Sequence, residues 1–320
     1  MAVSDGVHLI VPFAHCRAEP CREALRGLAL PNVRKLLRRL VLEATDEGDP
    51  HSLSLPHERV LARAHGLQPV DGLIPLAALQ VLQSGGEAGT EGWAWITPAH
   101  WRVGQDHIDM GHPQALQLDG DDSQALLAAM QPYFAEDGIT LAYEAPLRWL
   151  ARGDAFRNLP SASLDRVIGQ RIANAWMPSG PAAGPLRRLQ QEMQMLLYTL
   201  PLNDERERGG LLPVNSFWIS GTGALPPGHP PRPANGLQVT PYLRDAALHD
   251  DWHAWAEAWR QLDARDGPRL LAEAEHGTPV RLTLCGDASA RTWSSVAAGR
   301  WHRMAGWFGS TTVADLMEGL

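Results

Sequence analysis

Short apolar runs alternate with helical segments along this chain, and that alternation restricts its fold more than any other feature. Residues 7–13 (VHLIVPF) are typical of a buried first strand, and residues 279–285 of a later one. Pro31 and Pro56 stand where first-turn prolines belong. Helical patterns cover residues 21–29, 31–43, 56–66, 73–82, 182–200, 241–248, 250–264 and 267–275. The alternation predicts an α/β fold, with a mostly parallel sheet flanked by helices.

The pattern changes after the glycine-rich stretch at residues 83–92. The sequence beyond it predicts strand, strand, helix, strand, strand, at residues 93–97, 102–110, 123–135, 139–143 and 146–150. We therefore predict three parts with these boundaries: an α/β core of residues 1–91 and 183–320, an inserted α+β module of residues 92–152 with its termini close together, and a connecting helical segment of residues 153–182. A helix at 163–176, a strand at 213–220, a covering loop at 224–236 and a helical tail from 288 complete the prediction.

Composition excludes several classes of protein. The 320 residues are 44% hydrophobic and 20% charged, which is ordinary for a globular chain. A formal net charge of −8 disfavours binding to nucleic acid or to an anionic membrane surface. No apolar run of eighteen residues occurs, the first six residues include an acid and no basic residue, and the three cysteines do not suggest a disulfide framework. We expect a soluble, cytoplasmic protein.

The sequence predicts neither a metal site nor a cofactor. The spacing of His15, Cys16 and Cys21 matches no tetrahedral zinc pattern. A second group, His100, His107, Asp109 and His112, is better explained by scattered surface histidines. Trp252, Trp255 and Trp259 fall on one helix face and indicate a core stripe.

Polar residues inside apolar surroundings mark residues 189–223 as the most informative stretch. The candidate ligand-binding residues are Glu192, Gln194, Asn203, Arg206, Asn215, Ser216, Gly221 and Gly223. Buried amides and guanidinium groups need hydrogen-bond partners. Two interpretations remain open: these groups bond one another and tie helix to strand, or they line a ligand pocket. The pocket hypothesis places them together near the end of strand 213–220, under loop 224–236, with Glu192 paired to Arg206 when no ligand is bound.

The run LPLNDERERGGLLPVNSFWISGTG at residues 200–223 resembles the archaeal-type cofactor-independent phosphoglycerate mutases of the alkaline phosphatase superfamily. The helix start LPNVRKL at residues 30–36 is similar to the superfamily's TPNLDRL. Bacterial proteins labelled "phosphoglycerate mutase" or "regulatory protein" are also similar. The resemblance implies an alkaline phosphatase-like core, with residues 92–152 as the family's inserted substrate domain.

The chain departs from the resembled family at its metal ligands. The family's first strand ends in Asp-Gly, and this Asp binds metal. At the corresponding position this chain has Pro12-Phe13. Its last core strand ends in Asp-His, where this chain has Asp287-Ala288. No serine stands in the family's nucleophile context. Two-metal chemistry needs several such ligands to converge. We therefore expect a non-catalytic protein, possessing no metal or cofactor, that binds a small anionic ligand or a protein partner.

Two other functions stay open. The chain could be an enzyme on phosphate esters that uses a relocated site, and bound metal in the purified protein would favour this. It could instead be a structural partner-binding protein, for which the twelve tryptophans would be the clue. An exposed apolar tryptophan patch would favour this last interpretation.

Overall fold

The computed structural model describes residues 6–172, 174–178, 183–230 and 236–296, together with Val313 and Met317. Its strands are β1 (Val7–Val11), β2 (Val41–Asp46), β3 (Trp93–Ala99), β4 (Trp101–Val103), β5 (Ile108–Met110), β6 (Thr140–Ala145), β7 (Arg148–Arg152), β8 (Ser216–Gly223), β9 (Leu237–Val239), β10 (Val280–Cys285) and β11 (Ala290–Ser294). Its α-helices are α1 (Glu19–Arg26), α2 (Pro31–Leu37), α3 (Pro56–Ala64), α4 (Leu76–Gln83), α5 (Gly120–Glu136), α6 (Ala183–Tyr198), α7 (Pro201–Arg208), α8 (Arg244–Leu248) and α9 (Trp252–Glu275). The mixed α/β class is confirmed.

The chain divides into two compact units. The first comprises Met1–His51, Arg59–Ala64 and Pro233–Leu320, and the second comprises Ser52–Glu58 and His65–Arg232. The predicted boundaries are different: residues 183–232 were assigned to the core, and residues 92–152 alone to the module. The reason is strand pairing, because β8 is hydrogen-bonded to β3 in the sheet of the second unit. Residues 153–182 belong to that unit as well.

The sheet of the first unit has the strand order β2-β11-β10-β1-β9. β1 is parallel to both of its neighbours, β10 and β9, whereas β11 is antiparallel to β10 and to β2. Two of the four pairings are therefore parallel, and the prediction of a mostly parallel sheet is wrong. The prediction treated β2 as the end of a helix and β11 as part of a helical tail. A four-residue connection carries the chain from β10 to β11, and so short a connection requires an antiparallel pair.

The apolar face of this sheet packs against helices. Leu9, Val11, Leu282 and Leu284 share a buried cluster with residues of α1, α2 and α9. The cluster includes Trp255 and Trp259, both fully buried, which confirms the predicted core stripe on α9. The edge-to-face contacts of Trp255 with Trp252 and Trp259 have ring centroids 6.0 and 6.1 Å apart.

Helix α2 depends on α9 for its N-terminal cap. Its N-cap residue, Leu30, has no side-chain oxygen, so the first N–H groups need an acceptor from elsewhere. Asp263 of α9 supplies it: its Oδ1 accepts from the Val33 amide at 2.7 Å, and its Oδ2 accepts from Asn32 Nδ2 at 3.1 Å. The carboxylate also lies where the helix dipole favours negative charge.

Helix α9 runs through Pro268 without interruption, where the sequence predicts two helices. Gly267 leaves room for Asn32, because a Cβ at Gly267 would come within 2.5 Å of the Asn32 Cβ. At 24 residues α9 is the longest described helix, and no described helix is both long and apolar enough to cross a membrane.

The main sheet of the second unit has the order β6-β7-β3-β8, and all its pairings are antiparallel. Its buried cluster joins residues of these strands to α5 and α6. The described residues of the predicted helix 163–176, which are 163–172 and 174–176, form only the short 3-10 turns Leu164–Arg166 and Asn174–Trp176. Instead, the segment bonds along β5, for example from Gly169 N to Met110 O at 2.9 Å. Backbone pairing with a distant strand has overridden the local helical pattern.

Candidate functional site

Asn203 holds the start of β8 against the helices that precede it. Its side chain is buried, and Nδ2 donates to Leu197 O and Val214 O, both at 2.8 Å. Its Oδ1 accepts from the Val214 amide at 2.9 Å. One amide group thus satisfies three buried backbone groups. This arrangement matches the first of the two interpretations from the sequence, in which polar groups tie helix to strand.

Asn215 bridges two strands in the same way. Its Oδ1 accepts from the Trp101 amide at 2.7 Å, and its Nδ2 donates to Trp101 O at 2.9 Å. Asn215 immediately precedes β8, so its side chain extends the pairing that the start of β8 makes with the end of β3.

Arg206 is bonded to protein groups through all three of its nitrogen atoms. Its Nη1 donates to Asp122 Oδ2 at 2.8 Å, its Nε to Leu212 O at 3.2 Å, and its Nη2 to Leu116 O. The predicted pair between Glu192 and Arg206 is wrong. Glu192 lies on the exposed side of α6, where Oε1 is 3.6 Å from Arg188 Nε.

The two glycines of the candidate set lie at the far end of β8 from Ser216. A strand rises about 3.3 Å per residue, so Ser216 and Gly223 are roughly 23 Å apart. Gly221 has φ +63°, and a Cβ there would meet a Trp95 ring carbon at 2.7 Å. Gly223, with φ +136°, lies against Pro75. Both positions need glycine for backbone conformation and packing, and the eight candidates do not line one pocket.

A cavity of about 650 Å³ opens beside the start of β8. Its lining residues are His100, Trp101, Val103, Gln194, Leu197, Tyr198, Asn203, Asp204, Glu207, Pro213 and Asn215. Three candidates are therefore brought together here, namely Gln194, Asn203 and Asn215, and buried Ser216 lies behind Gln194, with Oγ 3.5 Å from its Nε2. The predicted location, at the end of the strand, is wrong. It came from a rule for open α/β sheets, whereas β8 lies in an antiparallel sheet. Of the predicted covering loop, residues 231–235 lie outside the described part of the chain.

The acidic and basic side chains that line this cavity are two carboxylates and one histidine. Asp204 and Glu207 are exposed and lie three residues apart on α7, hence on one helix face, and the described lining contains no lysine or arginine. His100 Nδ1 lies 2.8 Å from Pro213 O. A carbonyl oxygen can only accept, so Nδ1 carries a proton, which leaves Nε2 as the acceptor of the uncharged form of the ring. The donors of Asn203 are already used within the protein.

Sequence reasoning missed His100, Tyr198, Asp204 and Glu207 as parts of a site. For His100 the sequence predicts only a scattered surface histidine. A signal for the two acids existed, because they stand in the same LNDERER run as Asn203, at helical spacing. No sequence signal marks His100 and Tyr198, because only the fold brings the end of β3 beside α6.

The strand ends that hold metal in the resembled mutases do not fit such a centre here. β1 and β10 are adjacent parallel strands, so their carboxyl ends meet. At one end Pro12 and Phe13 offer no ligand side chain, and Phe13 has φ +55°. At the other end Asp287 Oδ2 accepts from the Arg17 amide at 2.8 Å, and Ala288 has no polar group. No group of three or more His, Cys, Asp or Glu side chains placed to hold a metal occurs among the described residues.

Comparison with known proteins gives a likeness of fold. No protein-family model matches the sequence, and no curated protein matches it. The chain is similar to the structure of the PH0037 protein from Pyrococcus horikoshii, at 12% identity and a TM-score of 0.50, over 92% of this chain and 88% of that chain. It also aligns with the cofactor-independent phosphoglycerate mutase from Thermoplasma acidophilum DSM 1728, at 12% identity and a TM-score of 0.37, over 90% and 89% of the two chains. The second score is too low to carry an argument, so the comparisons show that the fold is shared with the Pyrococcus protein.

Proposed function

We propose that this chain is a non-catalytic binding protein of phosphoglycerate mutase-like ancestry, and that the cavity beside the start of β8 binds a protonated amine or guanidinium group. The observation that carries the proposal is the chemistry of the lining, with the carboxylates of Asp204 and Glu207 and the acceptor nitrogen of His100 around one opening. A cationic donor complements such a lining, and each hydrogen bond to a charged group contributes about 1.5–3 kcal/mol.

The non-catalytic part of the proposal rests on the two strand ends described above. Pro12 and Phe13 replace the Asp-Gly of the resembled family, and Ala288 replaces its His. The left-handed φ of Phe13 is a conformation that favours glycine, which is the family's residue at this place. This conformation supports descent from a chain that carried Asp-Gly here, and with it the alkaline phosphatase-like ancestry.

The apolar part of the lining suits the carbon chain of such a ligand. Val103 and Pro213 provide apolar surface that can contact methylene groups, and a volume of about 650 Å³ falls within the usual range for small-molecule sites. The expectation of an anionic ligand is not supported here. A phosphate would lie beside two carboxylates, while the guanidinium of Arg206 is engaged with Asp122.

Titration calorimetry with butylguanidinium chloride tests the proposal. We expect saturable binding to the wild type, with affinity reduced at least tenfold in the double variant Asp204→Asn, Glu207→Gln. Glu205→Gln is the matched control, because Glu205 is an exposed acid on the same helix that does not line the cavity. 3-Phosphoglycerate at equal ionic strength should not compete. Equal affinity in the double variant and the wild type would overturn the proposal, and so would competition by the phosphate.

A further inference from the structure

Two of the three most exposed large hydrophobic side chains among the described residues line this cavity, and the third is one turn away on α6. Tyr198 is 83% exposed, Val103 78% and Met195 69%. Tyr198 and Val103 line the cavity, and Met195 lies one turn before Tyr198 on α6, hence on the same helix face. Single exposed hydrophobic residues need no explanation, but a cluster of them marks an interaction site.

This surface differs from the tryptophan patch that the sequence suggested for a partner-binding protein. Every described tryptophan is buried or half-buried, and several lie in the cores of the two units. Packing thus accounts for the described tryptophans, while Trp301 and Trp307 lie outside the described residues. The exposed apolar surface is instead formed by Met195, Tyr198 and Val103, which we call the apolar rim.

The apolar rim and the acidic side chains belong to one opening. Tyr198, Val103, Asp204 and Glu207 all line the same cavity. A complementary ligand has a cationic group that reaches the carboxylates and a separate apolar group that covers the rim. Opposite charge also speeds encounter, and the chain as a whole carries a net charge of −8.

We propose that the occupant is a basic, apolar segment of another protein. An arginine or lysine side chain of the segment enters the cavity toward Asp204 and Glu207, and an apolar neighbour covers the apolar rim. This inference rests on the proposed function of the cavity and adds the source of the cation. The cation could belong to a free small molecule or to a peptide segment. Met195 distinguishes these two sources, because it is exposed beside the cavity without lining it. A free amine inside the cavity leaves Met195 uncovered, whereas a peptide segment buries it.

Fluorescence anisotropy with a labelled peptide, acetyl-Leu-Arg-Leu-Arg-Leu-amide, tests the inference, with its Glu-for-Arg counterpart as the charge control. We expect the basic peptide to bind the wild type more tightly than butylguanidinium does, and the acidic peptide not to bind. Met195→Ser should weaken peptide binding at least fivefold and leave butylguanidinium affinity unchanged. The matched control is Val70→Ser, since Val70 is 54% exposed in the same unit and does not line the cavity.

The outcomes separate the two proposals. If butylguanidinium binds but Met195→Ser leaves peptide affinity unchanged, the peptide inference fails and the proposed function stands. If neither probe binds, both fail. Equal binding of the acidic and basic peptides would also overturn the inference, because the recognition would then not depend on charge.

Discussion

Arg206 and Asp122 form an ion pair, with 2.8 Å between Nη1 and Oδ2, that joins α7 to the first turn of α5. The Arg206 side chain is only 3% exposed, and its other bonds go to the carbonyl oxygens of Leu116 and Leu212. A guanidinium held in this way acts as a crosslink between elements of the second unit, and is not available to an incoming anion.

Arg206→Ala should therefore lower the free energy of unfolding by about 3 kcal/mol, because it removes the donor from the buried Leu116 carbonyl, the half-buried Leu212 carbonyl and the Asp122 carboxylate. Urea denaturation monitored by circular dichroism measures this. Arg208→Ala, an exposed position at the end of the same helix, should stay within about 0.5 kcal/mol of the wild type. The crosslink interpretation fails if Arg206→Ala is as stable as the wild type and has lost a wild-type thermal shift caused by 3-phosphoglycerate.

Asn203→Asp should destabilise the second unit although it barely changes the volume of the side chain. A carboxylate can still accept from the Val214 amide but cannot donate to Leu197 O or Val214 O, so both buried carbonyl groups lose the Asn203 donor. We expect a loss of roughly 2–4 kcal/mol. Asp204→Asn, the reverse change at the exposed neighbour, is the control. Hydrogen exchange reports the site directly, because amides near the start of β8 should exchange faster in Asn203→Asp, and unchanged protection would contradict the prediction.

The sequence predicted elements set by local pattern better than those set by distant partners. Residues 93–97 have a strong strand pattern and lie in β3, and the predicted strand 146–150 overlaps β7, which begins at Arg148. β2 and β11 were missed because each is stabilised mainly by pairing: Thr292 of β11 lies opposite Ala44 of β2, far away in sequence. No local signal encodes such a register, and the division into units depends on it.

The candidate site could be predicted only in part, because its residues are recognisable from local pattern but their distant partners are not. Among the polar residues of 189–223, Asn203, Arg206 and Ser216 are buried and have partners, whereas Glu192 is exposed. Their partners lie elsewhere in the chain, Asp122 for Arg206 and Trp101 for Asn215, so their role as crosslinks could not be deduced from spacing. The cavity was predicted at the wrong end of β8 because a rule for parallel sheets was applied to a strand that pairs antiparallel.

His8 should make the first unit less stable in mild acid. Burial, with a smaller effect of Arg281, lowers the pKa of His8 from 6.5 to about 4, while Glu43 acts in the opposite direction. Because the pKa is lowered in the folded state, the contribution of His8 to stability is fully present above pH 6.5 and is lost as the pH falls toward 4. The loss approaches roughly 3 kcal/mol, at about 1.4 kcal/mol per pKa unit.

The matched variant is His8→Gln, whose amide can still bond to Thr283 Oγ1, which lies 2.8 Å from His8 Nε2. Unfolding free energies of both proteins should be compared at pH 7, 5.5 and 4.5. As the pH falls, the unfolding free energy of the variant should rise relative to that of the wild type. Parallel curves would show that His8 titrates in the folded protein as it does in the unfolded chain.

Glu58 should make the second unit less stable as the pH rises, which is the opposite of the pH dependence expected from His8. Burial raises its pKa to about 7, with Asp165 acting in the same direction and Arg166 against it. Its contribution to stability is therefore present below pH 4.5 and is lost as the pH rises toward 7. Glu58→Gln keeps an acceptor for the Leu55 amide, which bonds Oε2 at 2.8 Å, but has no charge to bury. The variant should gain stability relative to the wild type between pH 4.5 and 7, and a difference that does not change with pH would refute this.

The protein should not interconvert 2- and 3-phosphoglycerate with added manganese or cobalt. Phosphoryl transfer through two metals needs carboxylate and imidazole ligands that converge on the ions. At the meeting ends of β1 and β10, Pro12, Phe13 and Ala288 supply none, and the Asp287 carboxylate accepts a backbone hydrogen bond. An enzyme-coupled assay for 2-phosphoglycerate, run on protein that was purified by two successive columns, measures this. A genuine mutase of the same class, added at trace level, fixes the detection limit. Turnover that coelutes with the protein and persists at constant specific activity would show that a relocated site carries out the reaction, and would overturn the non-catalytic assignment.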